Sequence, residues 1–205
     1  MKINKIILIA FMISGMTALI YEVVWARPLQ LIFGSTIYAV STILTTFLIG
    51  FSLGSYLFRN IADKSRNPLK LFAFIELGIG LYGLSILSLF KILPSIYLSI
   101  ANNSGIQFIQ FALLFLVLII PTTLFGATWP VVNKIYVRFE RKGRDIGRLY
   151  SFNSFGSFLG SLAAGFILIP FIGIRNTSIL AVCLNLLIGI TIFSFSIKKR
   201  GKNES

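Results

Sequence analysis

The chain has 205 residues, of which 56% are hydrophobic and 12% are charged, whereas about 25% of the residues in an average soluble domain are charged. The formal net charge of +13 does not indicate a nucleic-acid-binding protein, because the charges separate long apolar runs instead of covering one face. One cysteine, Cys183, and no histidine leave no internal disulfide, no Cys/His metal cluster and no histidine-based catalysis. We therefore expect neither a metal nor a cofactor.

Six apolar windows are long enough to cross a bilayer as helices, which takes about 20 residues. No amphipathic helix remains to cover them in a soluble fold. We therefore predict an all-α polytopic membrane protein, a single six-helix domain over residues 1–205. The first window begins like a signal peptide, but its apolar run is too long for one, so we expect it to be retained. The windows are residues 6–25, 37–58, 71–90, 108–132, 149–170 and 177–197.

The distribution of Lys and Arg predicts the orientation. Sixteen of the nineteen basic residues lie in the two tails and in the segments that follow the second and fourth windows. The other three, Arg27, Lys91 and Arg175, lie in the alternate segments. Because cytoplasmic loops are enriched in Lys and Arg, both termini are predicted to be inside, in a multi-pass protein of the cell (plasma) membrane.

The first helix carries Glu22 near its outer end, between Tyr21 and Trp25. Carboxylates inside a membrane are costly, which makes them candidates for function. Two interpretations remain open. Glu22 forms an interfacial ion pair with Arg27 under the Trp25 ring, or it binds an external cation or polyamine through charge and cation–π contact with the two aromatic rings.

The third helix carries the second intramembrane carboxylate, Glu76, about 9 Å from its inner end. Its depth differs from that of Glu22 by about 15 Å, too far for one acid/base pair. Either Glu76 forms a buried hydrogen bond that fixes helix packing, with Asn153 of the fifth helix as its partner, or it couples to protons. We list both glutamates and Asn153 as candidate substrate-binding residues.

The fourth helix contains Pro121 and Pro130, and each proline removes a backbone donor and frees an upstream carbonyl. We favour a kink satisfied locally by threonine over a discontinuous helix that lines a transport site. The basic segment 136–148 follows. Its residues Arg141, Lys142 and Arg144 are predicted to contact anionic lipid at the cytoplasmic face or to dock a cytosolic partner.

The fifth helix has small residues at four-residue spacing, Gly156, Gly160 and Ala164. Such a face lets another helix approach closely, and it serves either internal packing or pairing with a second copy of the chain. IGFSLGSYLF in the second helix (49–58) resembles FGSFLGSLAAGF in the fifth (155–166). Two three-helix halves with this internal similarity predict a 3+3 inverted repeat.

Three stretches, residues 14–83, PTTLFGATWPVV (121–132) and 147–175, resemble the membrane portion of spermidine synthase-like membrane proteins, which are fused major-facilitator and spermidine-synthase proteins. The 50–70 segment, with Gly54, Asp63, Lys64 and Arg66, also resembles the cytoplasmic loop between helices 2 and 3 of major-facilitator transporters. Six helices equal half a major-facilitator transporter in number. We expect Arg27, Asp63 and Pro121 to have structural or coupling roles. The soluble aminopropyltransferase domain of many members has no counterpart in the sequence, so we do not carry over their enzymatic activity.

Three functions are considered. The first is a transport or binding module for a small cationic or amphipathic solute, related to polyamines and acting as a homodimer. The second is a membrane anchor for a separate soluble synthase-like enzyme. The third is a membrane-embedded enzyme that acts on a lipid, for which the sequence offers no recognisable nucleophile or metal set.

Overall fold

The computed structural model describes residues 2–34, 36–100 and 106–201, and its regular structure there is entirely helical. Five helical segments are long and apolar enough to cross a membrane, which confirms an all-α protein of the membrane type. The elements are α1 (Lys2–Phe33), α2 (Ile37–Lys64), α3 (Pro68–Ile100), α4 (Ile106–Tyr136), a 3-10 turn (Phe139–Arg141), α5 (Lys142–Ala163), a π-helical turn (Ala164–Leu168) and α6 (Ile169–Gly201).

The last segment, Phe139–Lys198, is 60 residues long and is interrupted at Gly173. Gly173 has φ 78° and ψ 167°, a conformation that glycine adopts readily because it has no Cβ. The sequence predicted that this helix would end at Pro170, and that prediction was wrong. Pro170 lies inside the helix, just after the π-helical turn, and the helix is interrupted three residues later at Gly173.

Two other proline positions also lie inside helices and not at their ends. Pro28 is within α1 and Pro94 is within α3, so both helices are longer than the predicted windows 6–25 and 71–90. Residues 101–105, between α3 and α4, lie outside the described residues.

Side-chain contacts give the directions of the helices. Gly15 on α1 faces Asn153 and Met16 faces Gly160, so α1 and α5 run parallel. In contrast, α3 and α6 are antiparallel. Asn67, just before α3, donates a hydrogen bond of 2.7 Å to the hydroxyl of Ser196 near the end of α6.

The remaining pairs complete the bundle. The ring centroids of Phe11 and Trp129 are 5.5 Å apart, and the Gln110 side chain donates to the Phe33 carbonyl at 3.2 Å, so α1 and α4 are antiparallel. Gly50 faces Thr122, and α2 runs parallel to α4. Helices α1, α3 and α5 therefore point one way, while α2, α4 and the part of α6 after the break point the other way.

Neighbouring helices bind the carbonyls that the α4 prolines free. Pro121 has no N–H for the Val117 carbonyl, which instead accepts a 2.6 Å hydrogen bond from the Tyr82 hydroxyl of α3. In the same way, the carbonyl of Gly126, four residues before Pro130, accepts a 3.0 Å bond from Ser55 of α2. The hydrogen bonds to these two carbonyls thus come from hydroxyls of other helices, whereas we had expected them from the threonines of α4.

Candidate functional site

A carboxyl group lies in the interior of the bundle where α1, α3 and α6 meet. Glu76 of α3 is 0% exposed. Asn185 of α6 donates a 2.7 Å hydrogen bond from Nδ2 to Glu76 Oε2, and Ser14 of α1 lies beside the carboxyl group. The expected partner Asn153 is elsewhere, because its Nδ2 donates to the Phe11 carbonyl at 3.0 Å. Asn185 therefore replaces Asn153 as the amide partner of Glu76.

Several buried polar atoms of α1, α3 and α6 have no hydrogen-bond partner among the described residues. Glu76 Oε1 and Asn185 Oδ1 are two such acceptors. The hydroxyls of Tyr21 and Ser178 and the indole Nε1 of Trp25 are three further unpaired groups. Because buried polar groups in folded proteins are nearly always paired, this concentration along one three-helix interface marks the interface as the candidate site.

The two aromatic residues extend the site along α1. Tyr21 and Trp25 are each 0% exposed, and their ring centroids are 4.6 Å apart with the planes tilted by 30°. A Cβ atom at Gly83 of α3 would lie 2.7 Å from the Tyr21 hydroxyl oxygen. The glycine thus makes room for the phenol in the interior, whereas the sequence had placed both aromatic side chains at the outer interface.

Glu22 does not join this cluster. Its side chain has intermediate exposure, and it forms no hydrogen bond or ion pair with any residue that the structure describes. Arg27 is exposed, and the expected Glu22–Arg27 pair is not formed among these residues. Glu22 is therefore a half-exposed carboxylate, in contrast to the fully buried Glu76.

A cavity of about 160 Å³ lies beside the cluster, between α1, α2, α4 and α5. Asn153 and Ser157 of α5 line it, and Ser157 donates a 3.1 Å bond to the Gly15 carbonyl. Ser14 lines this cavity as well as contacting Glu76. The Ser14 side chain is therefore the link between the cavity and the buried carboxyl group.

The glycine face of α5 packs inside the same chain. A Cβ at Gly156 would overlap the Met12 carbonyl oxygen, and one at Gly160 would overlap that of Met16. Of the two uses considered for this face, the structure has internal packing against α1. Asp63 is exposed near the end of α2 and makes no ion pair within the described part of the chain.

A second cavity, of about 450 Å³, opens at the end of the bundle where α1 begins. Arg141 and Arg144 line it, but Lys142 does not, since its ammonium lies 4.1 Å from the centroid of the Phe139 ring. We call this cavity the basic pocket. Its lining residues are Asn4, Lys5, Leu8, Tyr136, Arg138, Arg141, Arg144, Asp145 and Arg148.

Sequence reasoning missed Asn185, Ser178 and Ser14. Asn185 could have been identified from the sequence, because an amide within an apolar span needs a polar partner. Ser178 lies two turns before Asn185 on the same helical face. Ser14 had no such signal, because a lone serine inside a membrane helix usually bonds its own backbone. No group of three or more metal-ligating Cys, Asp or Glu side chains occurs in the described ranges.

The sequence is similar to two curated proteins of Ralstonia nicotianae (strain ATCC BAA-1114 / GMI1000), polyamine aminopropyltransferase 2 and polyamine aminopropyltransferase 1. Each is 25% identical over 179 residues, which is 86% of this chain. The match covers 33% of the first and 32% of the second, so the chain spans about a third of the length of these relatives. No family model matches the sequence, and no solved structure matches it.

Proposed function

We propose that the chain is a membrane module that binds an ammonium group of a small cationic solute, of the polyamine class, beside Glu76. The observation that carries the proposal is the buried Glu76 carboxyl group, which has no cationic partner among the described residues and has one oxygen unpaired. A carboxylate that is removed from water is costly unless a cation or several donors compensate its charge. A bound ammonium group would supply that compensation.

The chemistry around Glu76 fits a primary ammonium. Such a group has three N–H donors and no acceptor. Glu76 Oε1 and Asn185 Oδ1 are unpaired acceptors, and they belong to two side chains that hydrogen-bond each other. Polyamines enter the proposal because both curated relatives are named polyamine aminopropyltransferases.

The proposal includes six membrane crossings in two inverted halves. The reversal at Gly173 supports a fifth and a sixth crossing within the last 60-residue segment. The parallel contact of α2 with α4 has a counterpart in the parallel contact of α5 with α1, as a repeat that relates α1–α3 to α4–α6 requires. Glycines mediate both contacts, Gly50 and Gly54 in the first and Gly156 and Gly160 in the second.

Both termini are proposed to be cytoplasmic in the plasma membrane. The helix directions put the described ends of α1 and α6, and the segment 138–148, at one end of the bundle. These regions carry most of the Lys and Arg residues, as the cytoplasmic side of a membrane protein does.

The test measures binding of radiolabelled spermidine to the purified protein in nanodiscs. Glu76→Gln keeps the size of the side chain but removes its charge, so we expect affinity to fall by at least about tenfold. Glu140→Gln removes an exposed carboxylate outside the bundle and should change nothing. Thermal unfolding of each variant shows that the fold is intact.

Two outcomes would contradict the proposal. If Glu22→Gln abolishes binding while Glu76→Gln does not, the cation site is at the other carboxylate. If the unaltered chain binds no spermidine, the module does not recognise polyamines. Where binding is present, uptake of spermidine into proteoliposomes distinguishes a transporter from a binding module.

A second candidate function is a membrane anchor for a soluble synthase-like enzyme. It is favoured by the partial coverage of relatives that are named as aminopropyltransferases. Native mass spectrometry of protein extracted gently from its own membranes tests it. A stoichiometric soluble companion supports the anchor, whereas a homodimer without a companion supports the transport module.

A further inference from the structure

The basic pocket combines two distant parts of the chain. Lys5 comes from the first turns of α1, and Arg138, Arg141, Arg144 and Arg148 come from the segment that leads into α5. From the sequence we predicted that this segment contacts anionic lipid or a cytosolic partner, but we did not predict that Lys5 of α1 lies beside it. In the folded chain, four arginine residues and one lysine residue line a single cavity of about 450 Å³.

These charges are not neutralised within the described residues. Asp145 is the one acidic side chain that lines the pocket, and its Oδ2 accepts a 3.2 Å hydrogen bond from the backbone N–H of Arg138. No ion pair joins Asp145 to a lining arginine in the described part of the chain. Arginine binds phosphate in a planar, two-pronged geometry, so the unpaired guanidinium groups favour a phosphate-bearing ligand.

The position of the pocket indicates where that phosphate comes from. Leu8 and Tyr136 are buried and form part of the lining. Three apolar side chains that are close in sequence to lining residues are exposed, Ile9 in α1 and Ile146 and Tyr150 in α5. A ligand with a phosphate head in the pocket would therefore have an apolar surface beside it, along which acyl chains can lie.

We propose that the basic pocket is a binding site for the phosphate headgroup of an anionic phospholipid. The site differs from general attraction to a charged membrane surface, in which every basic residue contributes about equally. It also shares no lining residue with the proposed cation site at Glu76.

The test counts the lipids that remain bound to the purified protein, by native mass spectrometry during titration with phosphatidylglycerol. Arg141→Gln/Arg144→Gln removes two charges from the pocket. Arg59→Gln/Arg66→Gln removes two charges at the same end of the bundle but outside the pocket, and it is the matched control. All four side chains are exposed, so both variants should fold, which circular dichroism checks.

The expected result is that affinity for phosphatidylglycerol falls by at least about tenfold in the pocket variant and by less than about twofold in the control. Equal losses in the two variants would overturn the proposal in favour of surface electrostatics. Titration with phosphatidylcholine should show weak binding in every variant. If soluble pyrophosphate displaces the lipid at equal concentration, the pocket selects a soluble phosphate and the lipid assignment is wrong.

Discussion

The α1–α5 interface brings two backbones into direct contact at Gly156, and Gly156→Ala tests that contact. The new Cβ would overlap the Met12 carbonyl oxygen and lie 2.8 Å from its carbonyl carbon. Ordinary carbon–carbon contacts are at about 3.5–4.0 Å. The two helices would have to separate by about 1 Å, and overpacking of this kind costs about 1–3 kcal/mol.

The comparison needs a glycine in the same helix that has free space around it. A Cβ at Gly147 would meet no atom of a neighbouring described element within 4 Å, so Gly147→Ala reports only the gain in helix propensity, about 1 kcal/mol at most. The difference between the two variants then isolates the contact with Met12. We expect Gly156→Ala to shift the unfolding equilibrium by about 5- to 150-fold relative to Gly147→Ala.

The assay is unfolding of the purified protein by SDS in mixed micelles, followed by circular dichroism. Fluorescence gives a local signal, because Trp129 is 6.1 Å from the Tyr150 ring of α5. Movement of α5 should therefore change the emission of the folded Gly156→Ala variant. If the two alanine variants are equally stable and have the same emission, the tight α1–α5 contact is refuted.

Two further predictions use the same assay. Tyr82→Phe removes the hydroxyl that binds the Val117 carbonyl, and we expect a loss of about 1–3 kcal/mol, whereas Tyr38→Phe alters a side chain that is 61% exposed and should change little. Gly173→Ala forces a Cβ onto a backbone with φ 78°, and we expect a loss of about 1–2 kcal/mol. A Gly173→Ala variant as stable as Gly147→Ala would show that the chain does not need this conformation.

Hydropathy predicted the positions of the helices, but helix ends predicted from proline were wrong. Pro170 was predicted to end the fifth helix because proline usually terminates helices in water. In the bundle, a neighbouring helix can bind the freed carbonyl, as Tyr82 does for Val117. Proline therefore carries less information about helix ends in this chain, and the actual interruption, Gly173, has no distinctive signal among seventeen glycines.

The candidate site could be predicted only in part. The cost of a charge inside a membrane drew attention to Glu76 as a residue that needs a partner, and the structure gives it the amide of Asn185. Depth alone did not determine which amide would face it, since Asn153 and Asn185 both lie at plausible heights and the rotation of each helix decides between them. The burial of Tyr21 could not be predicted either, because it depends on the contact with Gly83 across two helices.

The buried polar atoms without a hydrogen-bond partner are not spread evenly over the described bundle. At the α1–α5 and α2–α4 interfaces, glycines bring backbones together, and the hydroxyls of Ser55 and Ser157 are hydrogen-bonded. The unpaired buried side-chain atoms among the described residues all belong to α1, α3 and α6. The carbonyl freed by Pro121 is hydrogen-bonded, whereas one oxygen of Glu76 and one of Asn185 are not. Such local departures from a consistent fold are expected at functional sites, and this contrast gives the Glu76 interface priority over Glu22.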